Sequence, residues 1–290
     1  MEMRDWSLVV FTVLSQAAVG AFFVLLTLGR QPGRDEPAPS LTERMGPLAA
    51  VFAVFAASLL VAPFHLATPL QAPLALVNIV TSWLSREIVF GTLFAAFLAP
   101  LAVAEWRADR ISAWHRIVMG LTAAAGVAFL YCQIMIYLLP AQPAWNSAAT
   151  PAAFTATTVR LGILGVAAGL VARHDSAWPA FRWLALAGIL TLGTEMLVVP
   201  LQLASLAGDV PAAAAASATR LTDDYGAIWA IRLTLLFVAA AALGGALTSG
   251  QTAGRSTRVA RLTYAALGLV LVSELCGRFL FYATRVRVGI

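Results

Sequence analysis

Two side chains able to exchange protons, an imidazole and a carboxylate, stand close together in an otherwise apolar stretch. His65 lies in Pro63-Phe64-His65-Leu66-Ala67-Thr68-Pro69-Leu70, and Glu87 ends Ser82-Trp83-Leu84-Ser85-Arg86-Glu87. An imidazole and a carboxylate held at one membrane edge can trade protons with a redox-active ligand at the hydrocarbon boundary. That chemistry points to a quinone site, with His65 and Glu87 as the proton-exchanging pair and Arg86 tuning the charge beside them. A plainer reading leaves His65 at a span end with its ring in interfacial water. Its context outweighs that reading, because Pro63 and Pro69 bracket the histidine and restrict the backbone where the chain turns out of the membrane. Between the two residues, Leu74, Val77, Val80 and Leu84 recur at helical spacing, with Asn78, Thr81 and Ser82 among them. This predicts a short interfacial helix over 74–84 that caps a pocket, with His65 and Glu87 at the two lips of one connection.

The elements that must position this pair are membrane spans. Hydrophobic residues make up 60% of the 290-residue chain and charged residues 11%, and the mean hydropathy is +0.84, far from the balance of a soluble domain. Apolar stretches near the roughly 20 residues needed to cross a bilayer run over 6–28, 48–64, 88–103, 117–139, 152–172, 183–203, 226–247 and 262–283. Barrel strands would be shorter and would alternate apolar with polar residues, which these runs do not. The expected fold is all-α, a polytopic bundle of eight transmembrane helices forming one integral membrane domain over 1–290. The first stretch is too long for a signal-peptide core, and its flank of Glu2, Arg4 and Asp5 is not basic. The tryptophans (Trp6, Trp83, Trp106, Trp114, Trp145, Trp178, Trp183 and Trp229) fall near span ends or in connections, as interfacial aromatic rings do.

All the basic residues are arginines, and their placement predicts topology. The odd-numbered connections carry Arg30, Arg34, Arg44, Arg107, Arg110, Arg116, Arg173, Arg182, Arg255, Arg258 and Arg261; the other side carries only Arg4, Arg86, Arg220, Arg285 and Arg287. By the positive-inside rule the odd connections face the cytoplasm, so both termini and the His65–Glu87 connection face outward. These scattered arginines form no contiguous patch for nucleic acid.

The chain lacks the means to carry electrons itself. Cys132 and Cys276 are its only cysteines, too few for a four-cysteine iron-sulfur cluster. His115 and His174 fall in arginine-containing connections on the side opposite His65, so no bis-histidine haem pair is expected. No metal site, phosphate-binding glycine loop or nucleophile elbow is evident. Electrons passing to or from a quinone must therefore use a cofactor on a partner subunit.

Glu87, Arg160, Glu195, Arg232, Glu274 and Arg278 lie within the spans or at their mouths and should face the bundle interior and pair. Glu274 and Arg278, four apart with the acid first, are spaced for an intrahelical ion pair. Threaded from outside, these charges gather toward the His65 face; a small-solute transporter, the alternative reading, would spread them about the midplane. An internal echo relates Val61-Ala62-Pro63-Phe64-His65-Leu66-Ala67-Thr68 to Val198-Val199-Pro200-Leu201-Gln202-Leu203-Ala204-Ser205. It makes 1–140 and 141–290 candidate parallel four-helix repeats, with Gln202, unable to take up a proton, in the place of His65.

The opening Asp5-Trp6-Ser7-Leu8 with Phe11-Thr12-Val13 and Gln16, the element His65-Leu66-x-x-Pro69-Leu70, and Ser82-Trp83-Leu84-Ser85-Arg86-Glu87 resemble the membrane anchor subunit of anaerobic dimethyl sulfoxide reductase. The resemblance covers nearly the whole chain. It implies a haem-free, eight-helix anchor with outward termini in the bacterial cytoplasmic (inner) membrane. Such an anchor exchanges electrons between quinone or quinol (menaquinone or ubiquinone) and a four-cluster, ferredoxin-like iron-sulfur subunit, which connects to a molybdopterin catalytic subunit. The family ties the positions matching His65 and Glu87 to the quinone site. The sequence departs from the family pattern at Ala67, where glycine is usual, and at Gln71, where a basic residue is common. Gln71 thus joins His65, Arg86 and Glu87 as a candidate head-group contact with one positive charge fewer.

Overall fold

A computed structural model describes residues 3–29, 41–65, 78–107, 112–171, 178–206, 212–249 and 256–286; at 3–5, 41–45, 65, 106, 197–206, 214 and 256 only the backbone is described. Among these residues the secondary structure is helical, with no strand. The helices are α1 (Met3–Leu28), α2 (Leu41–Val61), α3 (Trp83–Trp106), α4 (Ala113–Tyr137), α5 (Ala149–Val171), α6 (Trp178–Leu206), α7 (Ala212–Thr219), α8 (Gly226–Ser249) and α9 (Ser256–Ala283). Helices suit a membrane because each satisfies its own backbone donors and acceptors where water is absent. Seven of them, α1 to α5, α8 and α9, are long and apolar enough to cross one. The stretch expected over 183–203 falls in α6, a 29-residue helix.

Two compact units divide the chain, 2–136 and 137–290. In the N-terminal unit α2 packs against α1 and α3, and the 3-10 turn Ala62–His65 that ends α2 rests on α1. Its core is a set of phenylalanines meeting edge to face: Phe55 contacts Phe94 at 4.7 Å and Phe129 at 5.5 Å between centroids, and Phe22 contacts Phe94 at 5.7 Å. This geometry sets a ring's positive edge against its neighbour's negative face. Glycines on α3 and α4 make room for phenylalanine rings of the facing helix. A β-carbon at Gly91 would lie 3.1 Å from the Phe129 ring, and one at Gly126 would lie 3.2 Å from the Phe94 ring. The two contacts are reciprocal and lock the antiparallel register of the two helices.

In the C-terminal unit α5 packs on α6 and α9, α8 packs on α6, and α8 and α9 form an extensive hairpin. Gly188 of α6 brings α5 and α8 together: a β-carbon there would meet Leu164 at 3.2 Å and Leu243 at 3.3 Å. Near one end of the unit Trp145 stacks on Phe281 at 4.9 Å and donates its indole N–H to the Phe281 carbonyl at 2.8 Å. Large apolar side chains such as Leu60, Leu190 and Phe237 remain exposed, as expected of surfaces facing lipid.

Two sequence expectations need correction. The interfacial helix predicted over 74–84 does not run to its expected end. Residues 74–77 lie outside the described set, while Asn78–Ser82 form a turn in which Thr81 and Ser82 both donate N–H to the Asn78 carbonyl. Ser82 then adopts an extended conformation (φ −108°, ψ 122°), and its hydroxyl accepts from the Ser85 N–H at 3.3 Å. A serine at this position starts a new helix more readily than it continues an old one. For the same reason α3 starts at Trp83 rather than at residue 88, and Arg86 and Glu87 sit in its first turns. The connection after α6 also contains an unforeseen helix, the alanine-rich α7, followed by a π-helical turn over Arg220–Asp224.

Candidate functional site

The first turns of α3 place Glu87 on the interior face, where it is 5% exposed. Its carboxylate interacts with the side-chain amide of Gln133, near the end of α4. Gln133 is fully buried and reaches further, to α1: its Oε1 accepts from the Gln16 side-chain amide at 2.7 Å, and its own amide donates to the Ser15 hydroxyl at 3.3 Å. Ser15 and Gln16 are also fully buried. The two amides and the hydroxyl are hydrogen-bonded, and with the Glu87 carboxylate they form one polar cluster from α1, α3 and α4. Such networks hold their members in place when every polar group has a partner in the low-dielectric interior.

Arg86 points elsewhere. Its Nε donates to the Ile79 carbonyl at 3.0 Å, its Nη2 donates to the Val80 carbonyl, and its guanidinium lies over the Trp83 ring at 4.2 Å. The arginine therefore staples the Asn78–Ser82 turn to the start of α3. Trp83 in turn meets Tyr131 of α4 edge-on at 5.6 Å. The backbone of His65 ends the 3-10 turn on α1, the helix that carries Ser15 and Gln16. The His65 side chain and Gln71 lie outside the described residues. Of the four candidates, the structure thus defines the surroundings of Arg86 and Glu87. Gln133 and Ser15 are not singled out by the sequence, and Gln16 only within the family resemblance, because neutral polar groups do not stand out as ionisable ones do. The available signal was their rarity: a glutamine within an apolar span must find a buried partner.

The C-terminal unit holds the remaining buried charges. Arg160 of α5, 1% exposed, donates Nη2 to Glu195 of α6 at 2.8 Å and Nη1 to Glu274 of α9. Glu195 also pairs with Arg232 of α8. The second oxygen of Glu274 accepts from the Thr157 hydroxyl at 2.7 Å. The result is an alternating series, Glu274–Arg160–Glu195–Arg232, that ties four helices together. Glu274 reaches across the bundle to Arg160, and the Arg278 guanidinium, one turn on in α9, stacks over the Phe154 ring at 3.7 Å. Beside this group the Tyr137 and Tyr282 hydroxyls hydrogen-bond at 2.6 Å. Glu195, Arg232 and Glu274, which a solute path would use, are thus engaged in ion pairs.

Long apolar helices whose buried polar groups pair across helix faces define a polytopic helical membrane protein. Sequence comparison gives the family: the profile of the DMSO reductase anchor subunit (DmsC) matches residues 1–284, and the protein belongs to that family. It is 30% identical to YnfH, an anaerobic dimethyl sulfoxide reductase polypeptide of Escherichia coli (strain K12), over 290 residues, which covers 99% of this sequence and 96% of that one. It is likewise 30% identical over 293 residues to the C polypeptide of the anaerobic dimethyl sulfoxide reductase of the same organism, at 99% and 96% coverage. The C polypeptide of the anaerobic dimethyl sulfoxide reductase of Haemophilus influenzae is 27% identical over 294 residues, at 99% and 97% coverage.

Proposed function

We propose that the protein is the haem-free, quinone-reactive anchor of a molybdopterin oxidoreductase in the bacterial cytoplasmic membrane. It binds quinone or quinol beside His65 and Glu87 and exchanges electrons with a ferredoxin-like iron-sulfur subunit that serves the catalytic subunit. The observation carrying this reading is Glu87 itself, a carboxylate buried one turn inside α3 and held by the Gln133 amide. A buried carboxylate in a membrane helix is costly to maintain without a task. Family membership supports the anchor role and the existence of partners.

The residues present suit a quinone. Glu87 and its neighbours offer one group that can take up a proton among neutral hydrogen-bonding groups, and Phe64, Val80 and Leu84 leave apolar surface exposed at the end of α2 and the start of α3. A bound quinol supplies electrons and protons together. His65 would hydrogen-bond a head-group oxygen through a ring nitrogen and hold the proton there; the Glu87 carboxylate would accept a proton at Oε and pass it on. Arg86 keeps the turn before α3 in place, and Gln71 completes the head-group contacts. Because electrons tunnel only over short distances, the iron-sulfur subunit docks on the face that carries His65. With the odd connections inside, that face and both termini are outward.

The test is quinol-driven turnover of the complex assembled with His65→Ala. The complex should assemble and lose turnover, and normal turnover would remove His65 from the mechanism. Purification of the intact complex should bring iron and molybdenum subunits with this protein. A polypeptide that purifies alone would overturn the anchor reading.

A further inference from the structure

We propose that Gln133 is the positioning residue of the quinone site, aiming the Glu87 carboxylate for proton transfer and itself aimed by Gln16 and Ser15. The inference rests on the role proposed for Glu87.

A glutamine side chain has distinct ends, an accepting oxygen and a donating nitrogen. The Gln16 amide donates to Gln133 Oε1 at 2.7 Å, so Gln133 presents its NH2 group to the Ser15 hydroxyl, at 3.3 Å, and to Glu87. The α1 contacts thus decide which end of the amide the carboxylate meets. Turned over, Gln133 would set an oxygen against an oxygen at Glu87 and a donor against a donor at Gln16. All three α1 and α4 members are fully buried, so water cannot substitute for a lost partner.

The register of α3 and α4 serves the same contact. From Gln133 to Phe129 is one turn back along α4, and from Glu87 to Gly91 is one turn on along α3; these next partners are in contact, as are Phe94 and Gly126 one turn deeper. The glycine contacts set a register that brings residues 87 and 133 to the same level of the two helices. An amide does not take up protons near neutral pH, so Gln133 is no relay. Its effect is on the direction of the carboxylate, whose rotatable bonds would otherwise let it sample unproductive geometries. Proton transfer needs heavy atoms within hydrogen-bonding reach, and a misplacement near 1 Å can cost about 100-fold in rate.

The experiment compares quinol-driven kcat and KM in the full membrane complex for wild type, Gln133→Leu, Glu87→Asp and the double variant. Aspartate keeps the acid but ends one methylene short of the amide. Gln133→Leu should lower kcat by about 10- to 100-fold with KM for quinol little changed, and should cost nothing further on the Glu87→Asp background. Wild-type kcat in Gln133→Leu, or the same fold loss on both backgrounds, would overturn the assignment, since packing damage adds whereas positioning of one carboxylate does not. Should Gln133→Leu fail to assemble, Gln16→Leu keeps Gln133 and frees its oxygen. It should lower kcat several-fold, again only when Glu87 is present, and wild-type kcat there would equally overturn the assignment. Glu87→Gln separates the two claims. Full turnover in that variant defeats the site reading and this inference together, whereas lost turnover there with wild-type Gln133→Leu defeats the inference alone.

Discussion

Gly91 of α3 faces the ring of Phe129 of α4 so closely that a β-carbon on the glycine would lie 3.1 Å from two ring carbons. The contact lies one turn inward of the pair Glu87 and Gln133. Spacing of the helices at this level therefore governs the polar cluster above it. Gly91→Val should force α3 from α4 and destabilise the protein by about 1–3 kcal/mol, the usual cost of overpacking a core. Thermal melting of the purified complex and its quinol-driven turnover should both fall. Gly120→Ala on α4 is the control, because nothing lies within 4 Å of a β-carbon there; it should melt at or above the wild-type temperature.

Much of this arrangement was legible in the sequence, at the level each signal can reach. Hydropathy located the apolar stretches because burial in lipid acts on whole helices. It misplaced the start of α3, since Ser82, Ser85, Arg86 and Glu87 average like a loop; the deciding feature was the Ser82 hydroxyl, which caps the helix locally. Charge counting singled out Arg160, Glu195, Arg232 and Glu274 as groups that must pair, but spacing along one helix sees only local neighbours and matched Glu274 with Arg278. Arg160, which pairs with Glu274, is 114 residues away in sequence and belongs to another helix. Gln133 escaped notice because an uncharged amide shifts mean hydropathy little and earns attention only when its neighbours are known.

The charge series of the C-terminal unit should respond more to unbalanced removal than to balanced removal. Arg160→Met strips Glu274 and Glu195 of a shared cation inside the bundle. Breaking a buried pair in this way typically costs about 3–5 kcal/mol. Adding Glu274→Gln removes one stranded charge and leaves Glu195 with Arg232, so the double variant should recover much of the loss. The amount of folded protein in membranes and its melting temperature in detergent would test the order; a double variant worse than Arg160→Met would refute it.

Gly277 is required by Arg232. A β-carbon on this glycine of α9 would lie 2.6 Å from the arginine Nε and 2.9 Å from its central carbon, distances that real side chains do not share. Gly277→Ala must push the guanidinium off α9 and away from Glu195. The expected result is a lower melting temperature, with Arg232→Met largely suppressing the additional effect of the alanine. Equal damage from Gly277→Ala in both backgrounds would show that the glycine serves helix packing alone.

Arg86 couples the turn before α3 to the helix through two carbonyls and the Trp83 ring. Lysine keeps the charge but cannot span both carbonyls while lying flat on an indole. Arg86→Lys should therefore loosen Asn78–Ser82, read as faster proteolysis or hydrogen exchange in this turn, and Arg86→Ala should do so further. The loss of stability should be modest, near the roughly 0.5–1 kcal/mol of an exposed cation–π contact. Exchange in the turn unchanged by either substitution would mean that Ser82 and Asn78 suffice to hold it.

Glu87→Gln separates binding from proton handling at the proposed site. The amide is nearly the same size as the carboxylate and can still hydrogen-bond to Gln133, so the α1–α3–α4 cluster should persist and the complex should assemble. What is lost is a group that can take a proton and return it. General acid–base catalysis by a positioned side chain contributes about 100- to 10,000-fold, and quinol-driven kcat should fall within that range. Binding of a quinone analogue, followed by fluorescence titration, should weaken far less, because the head group keeps its remaining contacts and its apolar surroundings. If affinity instead falls in proportion to kcat, Glu87 acts by holding the ligand. If neither changes, the buried carboxylate serves only the architecture of the N-terminal unit, and proton exchange must then depend on His65 and solvent at the membrane edge.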